Sequence, residues 1–285
     1  MHEQEMICKL YQQDYPSTKI AKILKTYPSS VLYVLEKHGI KRRSQSQAQR
    51  KHKVDEHFFE EIDTPEKAYW LGFIYADGTI VETNNMLAIA ISEKDAQHLE
   101  KFRKAIKTTY PIRYVDNTKP TPSGRAKRRK LAYIHIYSEK IYNDLKCIGV
   151  KEKFPSCDFQ KWHNLSHFVR GFFDGDGCLW FDKRRKGVNQ VNVEFCGDNH
   201  FLEELQKRIN RNVGIYHKAG GIRKAVNSNI WRLSYYGESA FRLLIWMYKD
   251  STPDIRLERK YVKFIDWLKR LKHIEKIEKV EKIGW

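Results

Sequence analysis

The chain contains the stretch Trp70-Leu71-Gly72-Phe73-Ile74-Tyr75-Ala76-Asp77-Gly78 and, 99 residues later (70 to 169), the stretch Val169-Arg170-Gly171-Phe172-Phe173-Asp174-Gly175-Asp176-Gly177. Each is an apolar run that ends at Asp-Gly, with small residues at its third and seventh places. A spacing of four residues puts each small pair on one face of a helix. Small residues on such a face let two helix backbones approach closely. We therefore predict two helices packed at Gly72 and Gly171, with Asp77 and Asp176 together at their C-terminal ends.

Two carboxylates at helix C-termini are unfavourable by themselves. The negative end of each helix dipole opposes them, and two nearby carboxylates raise each other's pKa. A hard divalent cation removes both costs, and Mg²⁺ prefers oxygen ligands while leaving positions for phosphate oxygens and water. The alternative interpretation is that each Asp-Gly is an ordinary turn or helix cap. Two copies that open the same order of elements are harder to explain as turns.

The same order of elements follows each stretch, which indicates an internal repeat of about one hundred residues. The first copy predicts a helix starting at Thr64-Pro65-Glu66, then strands 79–81 and 86–92, a helix over 93–107, strands 111–116 and 131–137, and a helix over 139–148. The second predicts a helix over 167–175, strands 178–182 and 191–196, a helix over 199–212, strands at 215–218 or 222–226 and at 230–236, and a helix over 238–248. A long basic helix, 260–280, ends the chain. The fold class is α+β.

The first 45 residues predict a small all-α domain, followed by a basic linker over 46–63. Helices are expected over 3–13, 17–24 and 31–38, with Ser17 and Ser29 as N-caps. Three short helices with a tight break before the last are typical of a helix-turn-helix. The last helix would then enter a DNA groove, and Lys41, Arg42 and Arg43 would hold the phosphate backbone. The alternative is a three-helix capping domain without a nucleic-acid contact.

Charge and cysteine usage narrow the class of partner. Lys and Arg number 53 against 35 for Asp and Glu, a net charge of +18 that favours a polyanion, with nucleic acid ahead of a membrane surface. The sequence contains no run of 18 apolar residues, so no membrane-spanning helix is predicted. The N-terminus lacks the apolar region of a signal peptide. The five cysteines form no CxxC pair, so a zinc site is not expected. Free thiols indicate a reducing cytoplasm, in a bacterium or a phage-infected cell.

The two stretches and their surroundings resemble the LAGLIDADG homing endonucleases, over about residues 64–270. The approach to the first copy, Thr64-Pro65-Glu66-Lys67-Ala68-Tyr69-Trp70-Leu71-Gly72, and the late segment Leu257-Glu258-Arg259-Lys260-Tyr261 look like free-standing phage and bacterial members. The resemblance implies two pseudo-symmetric αββαββα halves, 64–160 and 161–285, that form a DNA-binding saddle. It implies a monomer that cuts a long specific site in double-stranded DNA across the minor groove.

The resemblance also implies roles for individual residues. Asp77 and Asp176 would bind Mg²⁺, with the backbone carbonyls of Ala76 and Gly175 completing the coordination. Mn²⁺ is expected to substitute, and Ca²⁺ to bind without efficient cleavage. Val150-Lys151-Glu152-Lys153 matches Leu257-Glu258-Arg259-Lys260, which predicts Lys153 and Lys260 as basic catalytic residues; the alternative is that they are phosphate contacts or surface lysines. The sixth place is Tyr75 in one copy and Asp174 in the other. The resemblance implies that this place is structural, so no loss of activity is expected, and unequal cutting by the two halves is left open.

Base reading is expected from the strands, since a β-ribbon fits the major groove and alternate side chains point to one face. Basic hairpins beside the strands are expected to contact phosphates, although such runs are also typical of solvated loops. The predicted DNA-binding residues are Arg113, Tyr114, Arg125, Arg128, Arg129, His135, Tyr137, Lys183, Arg184, Arg185, Asn189, Gln190, Asn192, Glu194, Arg223, Lys224, Arg232 and Ser234.

Two other functions compete with the endonuclease. One is a non-cleaving binder on the same fold, either an RNA maturase for intron splicing or a transcription regulator. Such a binder has no need of either carboxylate, so the presence of both favours the enzyme. The other is the endonuclease part of an intein; the chain begins Met-His-Glu and ends Ile-Gly-Trp, without convincing splicing junctions. A free-standing or intron-encoded endonuclease is the prediction.

Overall fold

The structure is a computed structural model that describes residues 3–13, 15–42, 51–116, 130–150, 152, 154–155, 164–182, 190–215, 220–226 and 229–270. The chain divides into two compact units, Met1–Lys53 and Val54–Trp285. Among the described residues, no helix is both long enough and apolar enough to cross a bilayer.

The first unit contains three helices, α1 (Glu3–Gln12), α2 (Ser17–Ile23) and α3 (Pro28–Lys37). They share a small core that includes Ile7, Ile20, Val31 and Leu35. The helices lie where the sequence predicts them, but the predicted serine caps are wrong. The N-caps are Pro16 and Tyr27, and neither makes a side-chain cap hydrogen bond. The fixed φ of proline suits it to the first helical turn, so Pro28 begins α3 one residue before Ser29.

The second unit begins before the first motif. The sequence predicts a linker as far as residue 63, yet Phe58, Phe59 and Ile62 are buried in the core of the second unit. The rings of Phe58 and Phe59 lie edge to face, with centroids 4.9 Å apart. Residues 54–63 therefore pack as part of the second unit. Burial of three large apolar side chains is favourable, and a solvated linker would leave them exposed to water.

The first half of this unit follows the predicted αββαββα order. Its elements are α4 (Pro65–Asp77), β1 (Gly78–Val81), β2 (Met86–Ser92), α5 (Ala96–Ala105), β3 (Arg113–Asp116), β4 (Lys130–Tyr137) and α6 (Glu139–Ile148). The strands form an antiparallel sheet in the order β1-β2-β4-β3. Thr64 caps α4 by accepting a hydrogen bond from the Lys67 amide at 3.2 Å, as its position before Pro65 predicts.

The second half repeats the order and ends with an added helix. Its elements are α7 (Leu165–Asp176), β5 (Gly177–Asp182), β6 (Gln190–Gly197), α8 (Asn199–Val213), β7 (Gly220–Lys224), β8 (Trp231–Tyr236), α9 (Gly237–Tyr248) and α10 (Glu258–Arg270). The strands form a second antiparallel sheet in the order β5-β6-β8-β7. The predicted α+β class with two αββαββα halves is confirmed.

Each sheet buries one face against helices. In β2, Leu87, Ile89 and Ile91 are buried, and in β6 the alternate residues Val191, Val193 and Phe195 are buried. Residues of the other parity lie on the opposite face, which we call the open face. On the first sheet it includes Ala88 and Ala90, and on the second Gln190, Asn192, Glu194 and Cys196.

Candidate active site

The two motif helices, α4 and α7, pack directly against each other through their glycines. A methyl group at Gly72 would lie 2.0 Å from the Phe168 carbonyl oxygen, and one at Gly171 would lie 2.0 Å from the Tyr69 carbonyl oxygen. The two contacts are related by the 99-residue offset of the repeat (69 to 168 and 72 to 171). Only glycine allows backbones to approach so closely. The predicted helix packing at Gly72 and Gly171 is therefore what the structure shows.

This packing brings the C-terminal ends of α4 and α7 close together. A methyl group at Gly175 would lie 2.3 Å from Cβ of Ala76 and 3.0 Å from Oδ2 of Asp77. The carboxylate of Asp77 thus lies beside the last turn of α7, one residue from Asp176. Asp77 is half-buried and Asp176 is exposed. Each aspartate is the last residue of its helix, and the glycine that follows leads directly into a strand.

The donor chemistry at this point suits a hard divalent cation. Two carboxylates and the backbone carbonyls of the helix ends are all oxygen donors, which Mg²⁺ and Ca²⁺ prefer. Among the described residues there is no cluster of three or more His, Cys, Asp or Glu that would form an all-protein cage. Mg²⁺ is usually held by one or two carboxylates together with water and substrate phosphates, so Asp77 and Asp176 fit such an ion.

Lys260 lies at the same helix end, on α10. Its buried ammonium donates hydrogen bonds to the carbonyl of Phe173, to that of Asp174 at 2.9 Å and to that of Gly177 at 2.6 Å. A lysine ammonium has three protons, so three carbonyls at the negative end of α7 engage all of them. Burial lowers the pKa of Lys260 to about 8, while the charges of Asp174 and Asp77 oppose that shift. The structure thus places Lys260 where it holds the end of α7; its predicted catalytic role stays a prediction.

Asp174, the sixth residue of the second motif, is the centre of a buried network across the helix pair. Its carboxylate accepts hydrogen bonds from the Tyr69 hydroxyl at 2.8 Å and the Leu257 amide at 2.7 Å. The Tyr248 hydroxyl donates a third at 3.4 Å. Burial raises the pKa of Asp174, and the Lys260 ammonium and these hydrogen bonds oppose the rise. The network joins the two halves, since Tyr69 belongs to α4.

His98 extends this network to the core of the first half. Its Nε2 lies 2.8 Å from the Tyr69 hydroxyl oxygen. Because that hydroxyl gives its proton to Asp174, the bond requires a proton on Nε2 of His98. Nδ1 is buried without a hydrogen-bond partner among the described residues. Burial lowers the pKa of His98 to about 3, with help from Lys101, so the ring is neutral at pH 7.

The first motif lacks this network because Tyr75 stands in place of the aspartate. The Tyr75 hydroxyl donates to the Ile148 carbonyl at 3.4 Å, and its ring stacks on Phe201 and lies edge to face with Phe168. The sixth motif position is therefore aromatic packing in one half and a hydrogen-bonded carboxylate in the other.

Three buried residues of the site region were not singled out from the sequence: Tyr69, His98 and Arg170. Arg170 is fully buried, donates to the Ile255 carbonyl at 2.8 Å, and lies over the Tyr69 ring at 5.3 Å. For Arg170 the signal in the sequence is a charged residue inside an apolar helix. Such a residue is almost never fully buried unless it is paired, but the sequence does not show its partner.

The open face of the second sheet holds several of the predicted DNA-binding residues. Gln190, Arg223 and Arg232 are exposed there. Asn192 is buried, and its amide donates to the Gln190 carbonyl at 3.2 Å. Lys224 has the parity of Ile222 and lies on the other face. Strand alternation thus separates Lys224 from Arg223, although the two neighbouring basic residues were both predicted to contact DNA.

The remaining predicted contacts are divided between the first sheet, the first unit and the undescribed residues. Arg113 is exposed on the open face of the first sheet, next to Tyr133. Lys41 and Arg42 are exposed after α3, and Arg42 pairs with Glu36 at 2.5 Å. The following predicted residues lie outside the described residues: Arg43, Arg125, Arg128, Arg129, Lys153, Lys183, Arg184, Arg185 and Asn189.

Comparison with known proteins gives matches in structure alone. No family model and no curated protein matches the sequence. The solved structure of the homing endonuclease I-WcaI bound to its DNA recognition sequence is 12% identical, with a TM-score of 0.51 over 77% of this chain and 95% of that chain. Meganuclease I-SmaMI bound to uncleavable DNA is 12% identical, with a TM-score of 0.48 over 76% and 93%. The N-terminal LAGLIDADG domain of WhiA is 15% identical, with a TM-score of 0.44 over 75% and 94%.

At such identities the similarity shows the fold. The superposition on I-WcaI, together with the two αββαββα halves and the packed motif helices, shows that this chain has the LAGLIDADG fold.

Proposed function

We propose that this protein is a site-specific endonuclease that hydrolyses phosphodiester bonds in both strands of a long double-stranded DNA target. One observation carries the proposal: the glycine-mediated packing of α4 and α7 places the Asp77 carboxylate against the last turn of α7, beside Asp176. Neither aspartate stabilises its own helix end, because both lie at the negative end of a helix dipole. A fold that brings two such carboxylates together supports a role in binding a cation over a phosphate.

The cation is proposed to be Mg²⁺, held by Asp77 and Asp176 with the carbonyls of Ala76 and Gly175. When bound, a divalent cation supplies positive charge that polarises a phosphate and acidifies a water molecule. Mn²⁺ is expected to substitute, and Ca²⁺ to support binding without efficient cleavage. Lys260 keeps the end of α7 in place through its three carbonyl contacts. Lys153 is proposed as its counterpart in the first half.

The DNA is proposed to lie against the open faces of the two sheets. A net charge of +18 favours a polyanion such as nucleic acid over an uncharged or basic partner. Exposed side chains on alternate positions of antiparallel strands suit the major groove. In the first unit, α3 with Lys41 and Arg42 is proposed as a further DNA contact of the helix-turn-helix type. One chain carries both motif copies, so we propose a monomer that acts in the cytoplasm of a bacterium or a phage-infected cell.

A non-cleaving binder is the competing function, and a cleavage selection separates the two. The protein is incubated with a pool of genomic and randomised duplex DNA and Mg²⁺, and the new ends are sequenced. Recurrent ends at one long site, absent for the Asp77→Asn/Asp176→Asn double variant, would support the endonuclease. Salt-sensitive binding to DNA or to structured RNA without new ends would instead support a regulator or an intron maturase.

A further inference from the structure

The open face of the second sheet contains a buried carboxylate between two exposed arginines. Glu194, in the middle of β6, keeps only 6% of its side chain exposed. Its Oε1 accepts from Arg232 at 3.0 Å, and its Oε2 accepts from Ser234 at 2.9 Å and from Arg223 at 3.3 Å. From its position on a strand, Glu194 is predicted to read a base. The structure instead shows both carboxylate oxygens engaged by neighbouring side chains.

The two arginines depend on this carboxylate for their position. Arg223 and Arg232 are directly opposite each other on β7 and β8. Like charges at such a cross-strand pair repel, so without Glu194 the two guanidinium groups would move apart. Each arginine contacts Glu194 through one terminal nitrogen, and 61% and 45% of the two side chains stay exposed. A guanidinium is a planar group with five N–H donors, so most of its donors are left for another partner.

We propose that Arg223 and Arg232 read guanines in one half of the DNA target, and that Glu194 is a positioning residue that holds both guanidinium groups for this contact. The inference rests on the proposed function only in requiring specific binding to duplex DNA, not cleavage. Arginine bonds to O6 and N7 of guanine through two parallel N–H donors, which requires a fixed guanidinium plane. A carboxylate that holds one terminal nitrogen of each arginine fixes that plane before DNA arrives, which reduces the entropy lost on binding.

The first sheet offers different chemistry on its open face, so the proposed contact is confined to one half-site. Opposite Ala88 and Ala90 it carries the rings of His135 and Tyr133, whose centroids lie 4.8 Å apart. Within the part of the chain that the structure describes, Arg113 is the one arginine or lysine on that face. The small apolar side chains suit the thymine methyl group, and this face offers one arginine for a bidentate contact to guanine where the second sheet offers two. The two halves of the target are therefore expected to differ in their demand for guanine.

A binding selection with the full chain tests the proposal without requiring cleavage. Random duplexes are selected in a buffer with Ca²⁺, and the affinity of the protein for the selected site is compared with that for every single base-pair substitution. We expect guanines in one half-site, each preferred by about 5- to 150-fold over the other bases, the range typical of a bidentate contact. Selection of a site without such guanines would overturn the inference. A pool that yields no preferred site would overturn the proposed specific binding as well.

Two variants then separate positioning from direct reading. Arg232→Lys keeps the charge but loses the planar fork, so we expect at least about a fivefold loss of guanine discrimination at one position, with affinity for an unrelated duplex changed less than about twofold. Glu194→Gln is expected to weaken discrimination at both guanines while affinity for an unrelated duplex stays the same or rises, since a negative charge is removed. Arg113→Lys is expected to affect only the other half-site.

Glu204→Gln is the matched control. Glu204 on α8 also binds two basic side chains, Lys207 at 2.8 Å and Arg208 at 2.5 Å, but belongs to a helix rather than to the open face. It is expected to leave base discrimination unchanged. If Glu194→Gln lowers the melting temperature and all affinities uniformly, Glu194 is only structural. If Glu194→Gln loses discrimination while Arg232→Lys keeps it, Glu194 itself reads cytosine, and the proposal fails.

Discussion

Gly171→Ala should separate the two motif helices and impair both stability and cleavage. The added methyl group would lie 2.0 Å from the Tyr69 carbonyl oxygen and 2.9 Å from the Phe73 amide nitrogen, both backbone atoms of α4. Because a β-carbon needs at least about 3 Å from such atoms, the helices must move apart by about 1 Å (3 − 2.0). Overpacking of this kind costs about 1–3 kcal/mol, whereas alanine in place of glycine gains at most about 1 kcal/mol in helix propensity. A net loss of up to about 2 kcal/mol is expected.

The effect on cleavage should exceed the effect on folding. A displacement of about 1 Å between groups that act together costs on the order of 100-fold in rate, and Asp77 and Asp176 lie at the ends of the two helices that separate. The free energy of unfolding is measured in urea, and the single-turnover cleavage rate on the selected target is measured below the unfolding transition. Gly72→Ala should behave alike, since its methyl group would lie 2.0 Å from the Phe168 carbonyl oxygen.

Gly197→Ala is the matched control for this experiment. A methyl group at Gly197 would lie 3.6 Å from its nearest neighbours on Leu202 and Phe172, which is ordinary van der Waals contact. Stability and cleavage should stay close to those of the unchanged protein. A Gly171→Ala protein that is as stable as the parent and cuts within about threefold of its rate would refute the proposed packing, since a displacement of about 1 Å predicts a far larger loss.

Three further outcomes follow from the buried groups of the site. Burial lowers the pKa of His98 from 6.5 to about 3, so below pH 6.5 the unfolded chain binds a proton that the folded protein excludes. The free energy of unfolding should therefore fall by about 1.4 kcal/mol for each pH unit from 6.5 towards 3. A His98→Gln variant whose free energy of unfolding depends on pH as steeply as that of the parent would contradict this. Tyr69→Phe removes one donor to Asp174 and leaves the His98 Nε2–H without an acceptor, so a loss of about 1–3 kcal/mol is expected in urea unfolding, and a change below about 0.5 kcal/mol would argue against the network. Lys260→Met leaves the carbonyls at the end of α7 without their ammonium and should slow cleavage of one DNA strand more than that of the other. A supercoiled plasmid carrying the target should then accumulate as a nicked circle. Equal slowing of the cleavage of both strands would contradict this prediction.

The motif repeat predicted most of the fold because its physical basis is local in the sequence. Small residues four apart define a helix face, and an apolar run that stops at Asp-Gly defines a helix end. The alternation of Leu87, Ile89 and Ile91 likewise predicts a strand with one buried face. These signals need no knowledge of partners, which is why the elements lie close to their predicted bounds.

Features that depend on register or on distant partners were not predictable in this way. Nothing in the sequence shows that β7 and β8 bring Arg223 and Arg232 to the carboxylate of Glu194. Lys260 was chosen by matching two segments, and only the packing of α10 reveals its three carbonyl partners. The prediction of a linker was wrong at Phe58 and Phe59 for another reason. It followed the polar composition of the segment, although two adjacent aromatic residues indicate burial.

Cleavage of a plasmid that carries the selected target tests the central claim most directly. The parent protein, Asp77→Asn, Asp176→Asn and the double variant are compared with Mg²⁺, and binding to the same target is measured in Ca²⁺. We expect the parent to linearise the plasmid, and the double variant to bind with similar affinity and leave it intact. A double variant that still cuts the target would show that Asp77 and Asp176 are not the catalytic carboxylates. A parent protein that binds the target but never cuts it would show that this LAGLIDADG fold serves binding alone.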